Sequence, residues 1–241
     1  MHLGRPFGIK LELHFTFILL VLFYGWMGWR VQGLPGAVIN TTAIILIFGC
    51  VVLHELGHSL VARHYGIGIR RILLLPIGGM AEFERIPRTP KKELLITLAG
   101  PAVNFFIAAA LILFGGIMPE NFLQESLTFH QLLNFVLFVN LVMGFFNLIP
   151  VFPMDGGRIL RAILAFFLPY IDATRIAVYI GKILAIVGIA YAILYAQNII
   201  LVLLFAFIFF SGDREYQFVR QQERLRQQWQ EAIRAASQQK D

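Results

Sequence analysis

Residues 50–66 read CVVLHELGHSLVARHYG, and inside this apolar stretch His54, Glu55 and His58 fall within five positions. On a helix, positions i and i+4 lie on one face, so His54 and His58 can grip a single ion. Neutral imidazoles suit zinc, and a catalytic zinc has three protein ligands plus an exchangeable water. Glu55 sits one step round the helix, where its carboxylate can reach that water without ligating the metal. It can take a proton from the water and later pass it to a leaving amine. HExxH is the spacing of a metalloprotease centre. Ionisable groups are costly in an apolar helix, so three of them at ligand-plus-base spacing point to function and not to a chance histidine pair.

The elements that must position these residues are of membrane grade. Of the 241 residues, 58% are hydrophobic and 14% charged, where a soluble domain is about half apolar and about a quarter charged. The excess is gathered into uncharged runs at 13–29, 34–53, 94–118, 131–149 and 183–212. One crossing takes about 20 helical residues, and the last run suffices for two if Ala196-Gln197-Asn198 turns. The expected fold is an all-α polytopic membrane protein of about six transmembrane helices, near 13–30, 37–64, 93–116, 130–149, 174–195 and 198–212. Residues 1–12 read as mixed and turn-rich. Residues 68–84 combine aliphatic residues with Pro76 and Gly78-Gly79, which predicts a small membrane-surface β element. The first run ends in Trp26 and Trp29, an interfacial anchor and not a small-residue signal-peptide cleavage site.

Charge placement orients the helices. With the N-terminus in the cytoplasm, 18 of the 20 Lys and Arg residues fall on the cytoplasmic side, Arg30 lies outside and Lys182 is embedded in the fifth helix. That obeys the positive-inside rule. Residues 119–130 hold acids but no Lys or Arg and read as an exterior loop. The expectation is a multi-pass protein of the cell membrane with both termini cytoplasmic. Residues 1–212 would form the membrane domain and 213–241 a cytoplasmic polar helical tail. The net charge of +6 follows from this topology, with no nucleic-acid partner needed. Cys50 is the single cysteine, which excludes an intramolecular disulfide and suits a small packed residue.

A third metal ligand must reach the cytoplasmic half of the second helix. His64 lies on that helix but about 120° off the His54–His58 face, and His130 belongs to the exterior end. His14 and Glu12 stand near the cytoplasmic entrance of the first helix. Asp155 follows a helix returning to the same side, within NLIPVFPMDGGR, where Pro150, Pro153 and Gly156-Gly157 can aim it inward. Its plain reading is a helix cap, but topology and this punctuation favour the ligand.

HELGH at 54–58 together with NLIPVFPMDGGR at 147–158 resembles the site-2 protease family of intramembrane zinc metalloproteases. LGRPFGIKLELHFTF near the start, IGGMAEFE at 77–84 and LAGPAVNFF at 98–106 are similar to that family in the same order. The resemblance covers roughly residues 3–170. It implies one zinc ion held by His54, His58 and Asp155, Glu55 as general base, and a membrane-helix substrate cut near the cytoplasmic face. That substrate would be a single-span membrane protein or a signal-peptide remnant. It also suggests that Asn104 binds the substrate backbone or the developing oxyanion, an interhelical hydrogen bond being equally compatible. Asn147 carries the same two readings and leans towards supporting the bend.

The 69–84 stretch resembles strands whose edge could hold an extended substrate. No segment here is long enough for a PDZ domain between helices or for CBS domains after the last one, so a regulatory membrane partner is expected in their place. Two further classes stand beside the protease: a non-catalytic binder of membrane helices, and a metal transporter using the histidines as a transit site. An intact Glu55 speaks against the binder. A transporter would need a chain of polar residues across the bilayer, which is not evident.

Overall fold

A computed structural model of the chain describes residues 1–76, 78–84, 88–114 and 129–238. The expected exterior loop lies outside the described residues apart from its last two positions, and so does the side chain of His130. The chain divides into two units, Met1–Asn147 and Leu148–Asp241.

In the first unit, β1 (His2–Gly4), β2 (Leu11–Leu13), β3 (Ile69–Leu75) and β4 (Gly78–Phe83) form a sheet of order β1-β2-β3-β4. β1–β2 and β3–β4 are antiparallel, whereas β2 and β3 run parallel. Parallel neighbours need a crossover, and here it is the whole of α1 (Phe15–His64). The two strands within residues 1–13 were not expected. Each has three residues, too short for alternation to show in the sequence. Leu13, Ile72 and Leu74 on one sheet face pack with Phe17, Ile44, Phe48 and Leu56 of α1. On these strands Arg71 of β3 clamps its neighbours, donating to Glu12 Oε2 and Glu82 Oε1, each at 2.8 Å.

The expected first two spans form one helical run, broken at Gly33, whose φ of +65° is open to glycine. The arms 15–32 and 34–64 fold back on each other. Asn40 Nδ2 donates to the Tyr24 carbonyl at 3.1 Å, and Phe17 meets Phe48 edge-on at 4.4 Å. A Cβ on Gly28 would lie 2.2 Å from the Gly36 carbonyl oxygen, so the two glycines permit the tight hairpin. His14 caps this helix, accepting from the Thr16 amide. α2 (Pro90–Leu113) begins with Pro90 at its first position, where its missing N–H is harmless. It packs against α1 and α3 (Phe129–Asn147).

In the second unit, the loop 148–154 leads into α4 (Asp155–Leu164), α5 (Tyr170–Tyr191), a π-helical turn at Ala192–Ala196 and α6 (Ile199–Gln238). Gln197 adopts a left-handed conformation and Asn198 Oδ1 accepts from the Ile200 amide at 2.9 Å, so the expected 196–198 turn is present. α5 starts four residues before the expected 174. The expected last span and the polar tail that follows it share one helix, since α6 runs on to Gln238. The Gln-, Arg- and Glu-rich sequence after Gly212 holds no Pro or Gly and consists largely of good helix formers. Embedded Lys182 pairs with Asp213 at 2.6 Å and lies over the Phe209 ring at 4.7 Å.

Among the described residues, Phe15–His64, Pro90–Leu113 and Tyr170–Ala196 are long and apolar enough to cross a membrane, and Leu133–Asn147 is a shorter apolar helix. Leu19, Trp26, Ile45, Phe106 and Leu113 are exposed, as residues facing hydrocarbon would be. The protein is a polytopic, predominantly helical membrane protein with a small β-sheet.

Through its hydrogen bonds, Arg71 holds the Glu12 and Glu82 carboxyls below the usual carboxylate range. A carboxylate depressed in the folded state contributes fully above its unfolded value of 4.5 and loses that contribution as pH falls through the lower folded value. Melting temperatures of detergent-purified protein should therefore fall more steeply as pH drops below 4.5 than those of Arg71→Met. Parallel pH profiles for the two proteins would remove the clamp from the account of sheet stability.

Candidate metal centre

His54, Glu55 and His58 lie on the second arm of α1, with both histidines buried and Glu55 half-buried. The helical spacing sets the rings 4.7 Å apart at 85°. What the ring nitrogens do follows from their partners. His58 Nδ1 lies 2.8 Å from the Ile96 carbonyl of α2, and a carbonyl can only accept. His54 Nδ1 lies 2.6 Å from Asn104 Oδ1. Asn104 Nδ2 donates to Asn140 Oδ1 of α3 at 2.8 Å, which turns the oxygen of Asn104 towards His54.

These partners assign the Nδ1–H tautomer to both rings, leaving a lone pair on each Nε2. The two Nε2 atoms stand 3.1 Å apart. Neutral rings of this tautomer cannot hydrogen-bond through that pair of nitrogens, so the lone pairs converge instead. Tetrahedral zinc with Zn–N bonds of ~2.0–2.1 Å places two ligand nitrogens ~3.3 Å apart. The donor types, tautomers and spacing fit a zinc ion.

Glycines admit the neighbouring backbone. A Cβ on Gly100 of α2 would lie 2.2 Å from His58 Nε2 and 2.8 Å from His54 Cε1. A Cβ on Gly57 would lie 2.7 Å from the Ala99 carbonyl oxygen, so α1 and α2 touch backbone to backbone, as small residues allow in membrane helices. Gly79 of β4 backs onto Glu55, since a Cβ there would come within 2.7 Å of Glu55 Cγ.

Asp155, in the second unit, is buried and is the first residue of α4; Met154 holds the cap position and no side chain makes a cap bond. The preceding loop wraps tightly against the helix start. A Cβ on Gly156 would meet the Ile149 carbonyl oxygen at 2.1 Å, and one on Gly157 the Phe152 nitrogen at 2.8 Å. Arg161 of α4, only 2% exposed, pairs with Glu215 of α6 at 2.5 Å. Its guanidinium lies over Phe152 at 5.3 Å and Tyr170 at 5.1 Å, tying the loop to α4, α5 and α6.

The other sequence candidates have different placements. His14 caps α1, Glu12 pairs with Arg71, and His64 is exposed. Asn147 Nδ2 donates to the Met143 carbonyl within its own helix at 3.0 Å. Asn104 is fully buried, with both ends of its amide bonded. Asn140 and Gly100 were not singled out by sequence reasoning, and Gly79 entered it only as a turn signal. The signal for Asn140 was available: Asn134, Asn140 and Asn147 stand in the otherwise apolar stretch 132–147, where polar residues join helices or serve function.

The description "Peptidase family M50" matches residues 42–129 and 120–189. A zinc metalloprotease of Methanocaldococcus jannaschii is 43% identical over 220 residues, covering 91% of this chain and 61% of that protein. Stage IV sporulation protein FB of Bacillus subtilis is 31% identical over 150 residues, covering 61% of this chain and 49% of that protein. The chain thus spans about half to three fifths of the length of these two relatives. The solved site-2 protease from Methanocaldococcus jannaschii matches with a TM-score of 0.64 and 42% identity, covering 90% of this chain and 94% of that one. With the family's match extending over more than half its length, the chain belongs to peptidase family M50, the family of the site-2 proteases.

Proposed function

We propose that the protein is a zinc-dependent intramembrane endopeptidase that cuts transmembrane segments near the cytoplasmic face. The observation that carries this reading is the pair of His54 and His58 Nε2 atoms 3.1 Å apart on the same helical arm as Glu55. His54, His58 and Asp155 would hold the ion; each is buried and offers one ligand atom, a donor set suited to catalytic zinc. When bound, zinc polarises the scissile carbonyl and lowers the pKa of a coordinated water. Glu55 accepts a proton from the water as its oxygen bonds to the carbonyl carbon. It then delivers that proton to the departing amide nitrogen as the C–N bond breaks.

Cleavage needs an extended peptide, because a helical backbone shields its carbonyls. β4 is the last strand of the sheet, and its Gly79 lies against Glu55. An unwound substrate segment added to the β4 edge would run beside the base. The substrate is proposed to be a single-span membrane protein or a signal-peptide remnant, with control by a membrane partner. Both termini are proposed to be cytoplasmic, with residues 213–241 as the polar end of a cytoplasmic helix; the Lys and Arg distribution supports this orientation.

Glu55→Gln should keep zinc and lower cleavage of a co-expressed membrane-helix substrate by at least about 10²-fold. Undiminished cleavage by that variant, followed by immunoblot of the fragments, would overturn the mechanism. Vesicle uptake of metal that is indifferent to Glu55→Gln would instead favour transport, and substrate capture without cleavage by the wild type would favour a binder. Gly100→Ala should displace both imidazoles and weaken zinc binding about 10–100-fold, measured as metal content after dialysis against a chelator. Full zinc occupancy in that variant would show that the α2 backbone does not set the ligand positions.

A further inference from the structure

We propose that Asn140 of α3 is a positioning residue for zinc, acting through Asn104 to fix which nitrogen of His54 bears the lone pair. This rests on the zinc reading above and adds to it a relay from the third helix to a ligand on the first. The relay begins at Asn140. Its Nδ2 donates to the Val136 carbonyl at 2.8 Å and to Cys50 Sγ at 3.2 Å. An amide nitrogen carries two hydrogens, and both have acceptors here, so the orientation of Asn140 is set. Its Oδ1 therefore faces Asn104 and accepts from Asn104 Nδ2 at 2.8 Å.

That single bond decides the next orientation. Asn104 has two settings, related by a half-turn of its amide, that differ little in shape. With its nitrogen on Asn140, its oxygen faces His54 Nδ1 at 2.6 Å, the ring carries its proton there, and Nε2 offers a lone pair. Reversed, Asn104 would present N–H hydrogens to His54 Nδ1. The ring would then carry its proton on Nε2, the atom that must bind metal. Asn104 and Asn140 are both fully buried, so water is not at hand to stand in for a missing partner. Cys50 joins the same relay as a weak acceptor from the His54 arm of α1.

His58 needs no such relay. Its Nδ1 meets the Ile96 backbone carbonyl, an acceptor that cannot reverse. Of the two histidines, only the one supported by a side-chain amide depends on a further residue, and Asn140 supplies that dependence.

The test uses full-length, detergent-purified protein and zinc affinity by competition with a chelating dye. Asn140→Leu, which keeps the branched heavy-atom shape but no hydrogen-bonding group, should lose about 10–100-fold in zinc affinity. Adding Asn104→Asp should recover most of that loss, because a carboxylate presents an acceptor to His54 Nδ1 in either orientation. Melting of the metal-free proteins controls for folding; if Asn140→Leu does not yield folded protein, Asn140→Ser is compared with Asn140→Ser/Asn104→Asp in the same way. Wild-type affinity in the single variant would overturn the relay. A double variant no tighter than the single would also overturn it, leaving Asn140 a packing residue. Failure of the wild type to bind zinc would overturn the zinc reading itself, an outcome separate from both.

Discussion

Two imidazole lone pairs held 3.1 Å apart inside an apolar helix bundle form the constraint around which the first unit is organised. Such an arrangement is unfavourable for bare neutral rings, and the surrounding helices must hold it ready for a cation. They do so by bonding each ring through the nitrogen that does not face the other. A backbone carbonyl holds one ring and a buried asparagine holds the other. Both partners come from α2, which must therefore lie almost in contact with α1. The Gly57–Ala99 and Gly100–histidine approaches are consequences of that need. Between helices in a membrane, close packing and hydrogen bonds replace the hydrophobic drive that water would supply.

The same economy of polar groups recurs in each unit. At membrane depth a polar side chain needs a partner, and in the first unit Asn104 and Asn140 partner each other between helices. In the second unit, Lys182 meets Asp213 and Arg161 meets Glu215. These two pairs join the start of the polar part of α6 to α5 and α4. They give a physical reason for α6 to continue past the apolar run, where a hydropathy profile alone would end the span. Arg161, between two aromatic rings, also steadies the loop that leads to Asp155. An arginine suits that place because its planar guanidinium stacks on rings while its N–H groups reach a carboxylate.

The sheet couples architecture to chemistry by a different route. Its parallel β2–β3 pair closes over the whole of α1, so the strand preceding the first helix and the strand following the second meet side by side. That closure packs Ile72 and Leu74 onto the helix carrying Leu56, one residue beyond Glu55. β4 then follows β3 by a short turn and brings Gly79 onto the glutamate itself.

Much of this was legible in the residues. HELGH pointed to a candidate metal pair because helical periodicity alone puts positions 54 and 58 on one face, whatever surrounds them. The long uncharged runs declared a polytopic membrane protein because the bilayer sets a minimum helix length. Local signals also marked the turn at 196–198 and the strands within 69–83. Boundaries were less legible: the connection expected across 31–36 narrows to a break at Gly33, and β1 and β2 are too short to show a period. What tertiary structure alone decided was the set of contacts between segments distant in the chain. Sequence offered Asn104 as a substrate contact or an interhelical hydrogen bond and left Asn140 unremarked, since neither residue announces its partner. Only the packing of α1, α2 and α3 shows the amide of Asn104 bonded at both ends, turning its oxygen to His54. A tautomer is settled by what stands opposite a nitrogen, and that is a property of the fold.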